Sequence, residues 1–224
     1  EAGMTNPQVE PAPLARPVDP DLEARLRIYE EILLKWQPKM NLVAPSTLKS
    51  IRIRHIEDSL QVTDIWPQAR RWIDLGSGGG FPGIVSALRL RGEPGAMVHL
   101  IESDHRKCAF LREVSRETQA PVEVHRGRIE DVIHTLHEAD AISARALASL
   151  PVLVDMSLER LEKGAVAVFL KGQDVGSELT QMPIHSSLTI RLVASRTDPQ
   201  GRIVVLGRSD LFAVNGSGVN GVGR

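Results

Sequence analysis

Cysteine is almost missing from this 224-residue chain: Cys108 is its single thiol, so no disulfide can close within it. Aromatic residues make up only 4% of the sequence, which limits any role built on ring stacking and moves the weight of a nucleic-acid contact onto phosphates. There is no run of 18 apolar residues and no charged-then-apolar leader, so a cytoplasmic protein without a membrane partner is the expectation. Neither sign of charge dominates. Twenty-seven Lys and Arg face 28 Asp and Glu, and the net charge of −1 excludes a uniformly basic nucleic-acid coat, leaving only a local one. What is present, 42% hydrophobic and 25% charged residues, suits one ordinary domain with a substantial core and fits no disordered or fibrous class.

Four prolines, at positions 7, 11, 13 and 17, exclude helix and interior strand near the start and predict a loose arm over residues 1–18. Its first three residues, Glu1-Ala2-Gly3 ahead of Met4, look vector-derived. Asp19-Pro20-Asp21 is a helix start, and Leu22, Leu26, Tyr29, Leu33 and Trp36 recur as one apolar face up to Pro38. That periodicity assigns Trp36 to packing rather than to base stacking. A second short helix is expected from a Ser46 cap through Leu48, Ile51 and His55, completing an N-terminal helical cap over 19–66. His55 and Asp58 would share a helical face, either hydrogen-bonded to each other to fix the cap or contacting RNA. From 67 to 210, strand patterns (71–75, 97–101, 122–126, 139–143, 164–170) alternate with helical ones (82–91, 104–118, 149–160). Such alternation implies an α/β fold with a parallel sheet, ended here by two strands, 187–195 and 202–207, joined through Asp198-Pro199 as a hairpin. Cys108 reads as a helix residue near the core, and the glycine-rich residues 211–224 as a flexible tail.

The densest signal is Asp74-Leu-Gly76-Ser77-Gly78-Gly79-Gly80-Phe81-Pro82-Gly83, five glycines following the apolar strand residues Trp72, Ile73 and Leu75. A glycine cluster between strand and helix lets backbone amides approach a ligand closely. Gly78, Gly80 and Gly83 satisfy the dinucleotide G-x-G-x-x-G pattern, with Glu102 about 20 residues on at a ribose position, so an NAD-dependent oxidoreductase stays open. Asp74 with Gly76-Ser77-Gly78 resembles instead the acidic Asp/Glu-x-Gly-x-Gly signature of class I S-adenosylmethionine methyltransferases. A carboxylate beside the loop suits a cationic ligand better than a pyrophosphate. Separately, Lys35, Lys39, Lys49, Arg52 and Arg54 occur with no acid between them, which reads equally as a phosphate-attracting RNA-binding patch or as a solvated face balanced by Glu30, Glu31 and Glu57.

Several separated blocks, Lys35-Trp36, Asn41-Leu42, Arg54-His55-Ile-Glu-Asp58-Ser59-Leu60, the glycine loop, Ser143-Ala-Arg145-Ala and Phe169-Leu-Lys171-Gly172, resemble the bacterial 16S rRNA guanine-N7 methyltransferase family, formerly named for glucose-inhibited division. The resemblance runs from about residue 30 to 207. It implies a Rossmann-like, mostly parallel seven-stranded sheet with an antiparallel terminal strand. It also implies methyl transfer from S-adenosylmethionine, leaving S-adenosylhomocysteine, to N7 of a guanine in the 530 loop of 16S rRNA, free or in the small ribosomal subunit. The cofactor site it implies includes Asp74, Gly76, Ser77, Gly78, Phe81, Glu102, Ile129, Glu130 and Arg145, with Arg145 and Lys171 as catalytic residues where donor and acceptor meet. Guanine N7 carries a lone pair and no proton, so no general base is needed and catalysis reduces to positioning. No metal is expected, since His134 and His137 lack a third ligand nearby, and the chain is expected to be a monomer. A non-catalytic RNA-binding assembly module is the remaining alternative.

Overall fold

Runs of aliphatic and β-branched residues separated by turn residues fold into one eight-stranded sheet in the computed structural model, which describes residues 8–183 and 187–213. The strands are β1 Val9–Glu10, β2 Arg71–Leu75, β3 Met97–Glu102, β4 Val122–Arg126, β5 Ala141–Arg145, β6 Val166–Lys171, β7 Leu188–Ala194 and β8 Arg202–Arg208. Their order is β1-β7-β8-β6-β5-β2-β3-β4, and only β8 runs antiparallel to its neighbours. The chain steps outward from β2 through β3 to β4 and then returns to β5 on the other side of β2. The order therefore reverses between β2 and β5, which is where open α/β sheets bind ligands, outside the carboxyl ends of the strands.

Among the described residues, eight α-helices flank the sheet: α1 Pro20–Trp36, α2 Asp58–Ile65, α3 Gly83–Leu90, α4 His105–Thr118, α5 Ile129–Val132, α6 Leu150–Glu162, α7 Val175–Thr180 and α8 Ser209–Ala213. Strand alternation divides the core. Trp72, Val98, Leu100, Val168 and Val205 meet α1 to α4 on one face, while Ile73, Leu75, Ile101, Ile142 and Phe169 meet α5 to α7 on the other. Asp19 caps α1 by accepting from the Leu22 N–H at 2.8 Å, and the buried Leu22, Leu26, Tyr29 and Leu33 form its inward face. Trp36 packs edge-on against Phe110, its indole N–H donating to Glu113, and Cys108 is buried in α4. No helix among the described residues is long and apolar enough to cross a membrane.

The sheet has eight strands rather than the expected seven because the proline-rich arm is not loose. Val9 and Glu10, just ahead of Pro11, pair in parallel with Leu192 and Val193 at the sheet edge, where proline's missing N–H costs nothing. Arg16 then reaches Asp64 at 2.8 Å, Arg196 donates to the Pro13 carbonyl at 2.9 Å, and Glu10 pairs with Arg191. Ser46 caps no helix: Pro45–Ser50 is a 3-10 turn entered from Ala44, and Arg52–Glu57 winds as a π-helix straight into α2. At the other end, residues 211–213 belong to α8, with Phe212 5.7 Å from the Trp66 ring, instead of opening a tail. β5 starts two residues later than expected, since the Asp140 carboxylate takes the N–H groups of Arg70 and Arg71, both at 2.9 Å, before the strand begins. The vector-like start and the glycine-rich stretch from 214 lie outside the described residues.

Candidate functional site

The glycine loop turns back between β2 and α3 under three hydrogen-bond constraints. Ser77 N–H donates to the Ile101 carbonyl at 3.0 Å, Ser77 Oγ to the Asp74 carbonyl at 3.1 Å, and the buried Tyr29 hydroxyl to the Gly79 carbonyl. Gly78 has φ +52°, and a side chain added there would meet nothing closer than a carbonyl 3.7 Å away, so its open side faces a cavity. Gly83 is required for a different reason: a Cβ would stand 2.5 Å from both Asp74 Oδ2 and a Leu100 methyl. Only part of the glycine run thus opens onto the cavity, and the rest lets helix and sheet close together.

The cavity beside Gly78 has a volume of about 420 Å³ and is walled by the loop, the ends of β3 and β5, and the start of α5. Of the predicted cofactor residues, Gly76, Ser77, Gly78, Phe81, Glu102, Ile129, Glu130 and Arg145 line it. Glu102 is held from two sides, accepting from the Gly78 N–H at 2.9 Å and the Asp104 N–H at 2.8 Å. Asp74 is the correction. It is fully buried behind the loop, Oδ1 accepting from Ser143 Oγ at 2.6 Å and Oδ2 lying against Gly83, so it shapes the loop and does not line the cavity. Burial raises its carboxyl pKa to about 6 against the opposing hydrogen bonds of Ser143 and Ser77.

A second cavity of about 460 Å³ lies between the N-terminal cap and the β7–β8 hairpin, and the two share Leu42, Arg145 and Ala146 as a common wall. Arg145 ends β5 at the strand-order reversal, and Ala146 turns the chain with φ +49°. The Arg145 guanidinium stands 4.9 Å from the centre of the Phe81 ring, donates to the Arg54 carbonyl at 3.3 Å and lies 4.0 Å from Asp58 Oδ2. Burial lowers its pKa, yet an arginine stays charged, so a cation is held at the partition. His55 stacks on the same ring at 5.0 Å. Burial, then Arg145 and Arg54, push its pKa down to about 4, leaving a neutral imidazole.

Lys171 also lines the second cavity, but its charge is engaged: Nζ pairs with Glu178 at 2.8 Å and donates to the Ala148 carbonyl at 2.9 Å. His55 and Asp58 do not bond to each other, because the π-helical winding of Arg52–Glu57 moves residues three apart off a common line. His55 Nε2 meets Thr47 Oγ1 at 2.7 Å, while Asp58 accepts from Thr197 Oγ1 at 2.9 Å and so ties cap to hairpin. Of the basic stretch, Arg54 reaches the second cavity's rim beside Asp198 at 3.6 Å. Arg52 is paired with Glu23 and Glu30, Lys35 lies 3.4 Å from Glu113, and Lys39 and Lys49 make no ion pair among the described residues. Sequence reasoning missed Lys107 and Arg128 at the first cavity and Thr47, Thr197 and Arg202 at the second. Arg128 was legible as the neighbour of Ile129, whereas Thr197 and Arg202 arrive from a hairpin with no local signature.

Residues 22–196 match the family model described as rRNA small subunit methyltransferase G. A protein named ribosomal RNA small subunit methyltransferase G from Bradyrhizobium sp. (strain ORS 278) is 49% identical over 191 residues, covering 85% of this chain and 86% of that one. A namesake from Methylorubrum extorquens is 47% identical over 187 residues, 84% and 89% of the two chains. Among solved structures, the O-methyltransferase from Bacillus cereus in complex with SAH superposes with a TM-score of 0.56 at 16% identity, covering 86% of this chain and 92% of that one. The O-methyltransferase TomG from Streptomyces achromogenes, in complex with SAM, gives 0.52 at 19% identity, covering 88% and 92%. These two likenesses establish the class I methyltransferase fold.

Proposed function

Because the chain belongs to the rRNA small subunit methyltransferase G family, we propose that it transfers a methyl group from S-adenosylmethionine to N7 of a guanine in the 530 loop of 16S rRNA, in the cytoplasm. The observation that carries this reading is the shared wall: Arg145 faces two adjoining cavities, one built on the glycine loop and one between the cap and the hairpin. A two-substrate reaction needs such a pair. The first cavity has the size of a small-molecule site, and its open Gly78, fixed Glu102 carboxylate and apolar Ile101 and Ile129 fit a nucleoside-bearing ligand.

Bound there, S-adenosylmethionine would supply a methyl group on a cationic sulfur. The chain's own residues then account for binding and alignment. Glu102 uses one lone pair on each oxygen for backbone N–H groups and keeps others to accept from ribose hydroxyls. Ile129 and Glu130 border the space for the adenine. Arg145 donates to guanine O6 or to a neighbouring phosphate and leaves N7 free, because a donor on N7 would occupy the lone pair that attacks. No residue needs to take a proton from N7. His55, neutral and with its pKa near 4, is a poor base at neutral pH and serves to hold Phe81 under Arg145. The rate gain is then one of position and orientation.

Labelled S-adenosylmethionine incubated with free 16S rRNA, an assembly intermediate and the mature subunit, followed by mapping of N7 methylation, tests the proposal. Label at one guanine in any of the three supports it, and absence of transfer to all three overturns it. Calorimetry with NAD and with S-adenosylmethionine separates the oxidoreductase alternative. RNA binding indifferent to S-adenosylmethionine and without turnover would instead identify an assembly module.

A further inference from the structure

The sheet edge at β4 carries a cluster that neither cavity uses. Glu123 and His125 are two apart on β4 and so project from one face, and His99 on β3 pairs in register with Glu123. His99 Nδ1 lies 2.9 Å from His125 Nε2 and 3.5 Å from Glu123 Oε2, while His125 Nε2 lies 3.9 Å from that same carboxylate oxygen. The strand pairing fixes this convergence. His99 is buried at 8% exposure, whereas the Glu123 side chain, 60% exposed, is free to adjust.

The geometry points to a binding site for a divalent first-row transition ion of the zinc type, held by His99 Nδ1, His125 Nε2 and Glu123 Oε2. Ligand atoms about 2.0–2.2 Å from a tetrahedral ion stand about 3.3–3.6 Å from one another, and the three observed separations bracket that range. A simple hydrogen bond between the two imidazoles accounts for their contact but not for the carboxylate. An N–H between the rings points at the other nitrogen 2.9 Å away and leaves Glu123 Oε2 only a longer contact at 3.5 Å. Three electron-pair donors with at most one shared proton are what a cation resolves. Two imidazoles and one carboxylate suit zinc, cobalt or nickel and not the all-oxygen shells of calcium or magnesium. Three protein ligands leave a fourth position for water. Because β4 ends the sheet, an ion there ties the last strand to β3 and stabilises the fold by mass action without touching methyl transfer.

The test uses the full chain without an affinity tag, stripped with a chelator, then titrated with Zn²⁺ by calorimetry and with Co²⁺ by visible absorption. One ion per chain with submicromolar affinity, tetrahedral-type cobalt bands and a higher melting temperature with Zn²⁺ are expected. Replacing both partly exposed ligands, Glu123→Gln with His125→Gln, should weaken binding by on the order of a hundredfold, since two of three protein ligands are removed. The His134→Gln, His137→Gln double variant should retain wild-type affinity. Absence of stoichiometric binding at micromolar Zn²⁺, or undiminished affinity in the Glu123/His125 variant, overturns the site. A variant at the buried His99 is not needed, so no outcome depends on a chain that fails to fold.

Discussion

Burial acts in opposite directions on Asp74 and His55, two titratable side chains packed around the glycine loop and Phe81. The folded protein keeps a proton on Asp74 up to about pH 6, whereas an unfolded aspartate releases it near 3.8, so Asp74 makes stability fall as pH rises from about 4 to 6. His55 binds its proton only below about pH 4, whereas an unfolded histidine takes one near 6.5, so His55 makes stability rise across nearly the same window. The two slopes oppose one another in the native chain. Urea unfolding at several pH values between 4 and 6.5 is expected to separate them. Relative to the parent, Asp74→Asn should gain stability with rising pH and His55→Gln should lose it, each by up to about 1.4 kcal/mol per pH unit. Parallel profiles for all three proteins would remove both groups from the account. Arg145→Ala belongs to the same scale. Loss of a positioned donor at a reacting centre typically costs about 100-fold or more in kcat, and a similar loss is expected here in the labelled-methyl assay with the melting temperature nearly unchanged. Normal turnover would exclude Arg145 from the site.

At the level of elements, strands β2 to β8 and the strand–glycine–helix unit were legible because each carries its own apolar period and turn residues. The reasons for individual glycines were not. Gly79 sits against the Leu42 carbonyl, Gly80 against Tyr29 and Ile84, and Gly83 against Asp74 and Leu100, contacts made with residues as distant in sequence as Tyr29. Gly78→Ala and Gly83→Ala should therefore fail differently. Alanine at Gly78 meets open space and bears only the left-handed backbone cost of about 1–2 kcal/mol, so it should fold but bind S-adenosylmethionine more weakly. Alanine at Gly83 drives a methyl into a buried carboxylate and Leu100, an overpacking cost of about 1–3 kcal/mol, so its main effect should be on unfolding free energy. Denaturation paired with calorimetry checks both, and equal effects of the two substitutions on binding and stability would contradict the division. The elements that escaped sequence reasoning share one cause. The Val9–Glu10 strand exists only because β7 offers it an edge, and the π-helical turn around His55 is held by partners such as Thr47, so neither has a local period to read.

The whole molecule closes around Asp64, whose side chain is 1% exposed and is met by Arg16 from the arm and Arg196 from the β7–β8 hairpin. The same closure sets the second cavity between cap and hairpin, and no local sequence pattern could announce it, since Asp64 and Arg196 are 132 residues apart. An acceptor RNA meeting that cavity would find cations in its lining, in a chain whose net charge is only −1. Arg54 and Arg202 line the cavity, and Lys39 and Lys49 make no ion pair among the described residues, whereas Arg52 and Lys35 are occupied by Glu23, Glu30 and Glu113. Engaging about three or four of these cations with phosphates predicts a shallow salt dependence, a slope of log affinity against log salt of about −2 to −3 on single-stranded RNA. Lys49→Gln should flatten it by about 0.7, one phosphate contact, and Arg54→Gln by less, because Asp198 already stands 3.6 Å from its guanidinium. Lys35→Gln and Arg52→Gln should change it less, because those cations are already neutralised within the fold. Fluorescence anisotropy with a labelled 16S rRNA fragment, over a salt series from roughly 50 to 200 mM, gives the slopes. A steep slope shared equally among all four variants would mean that RNA lies across the general surface and not at the cavity bordered by Arg145.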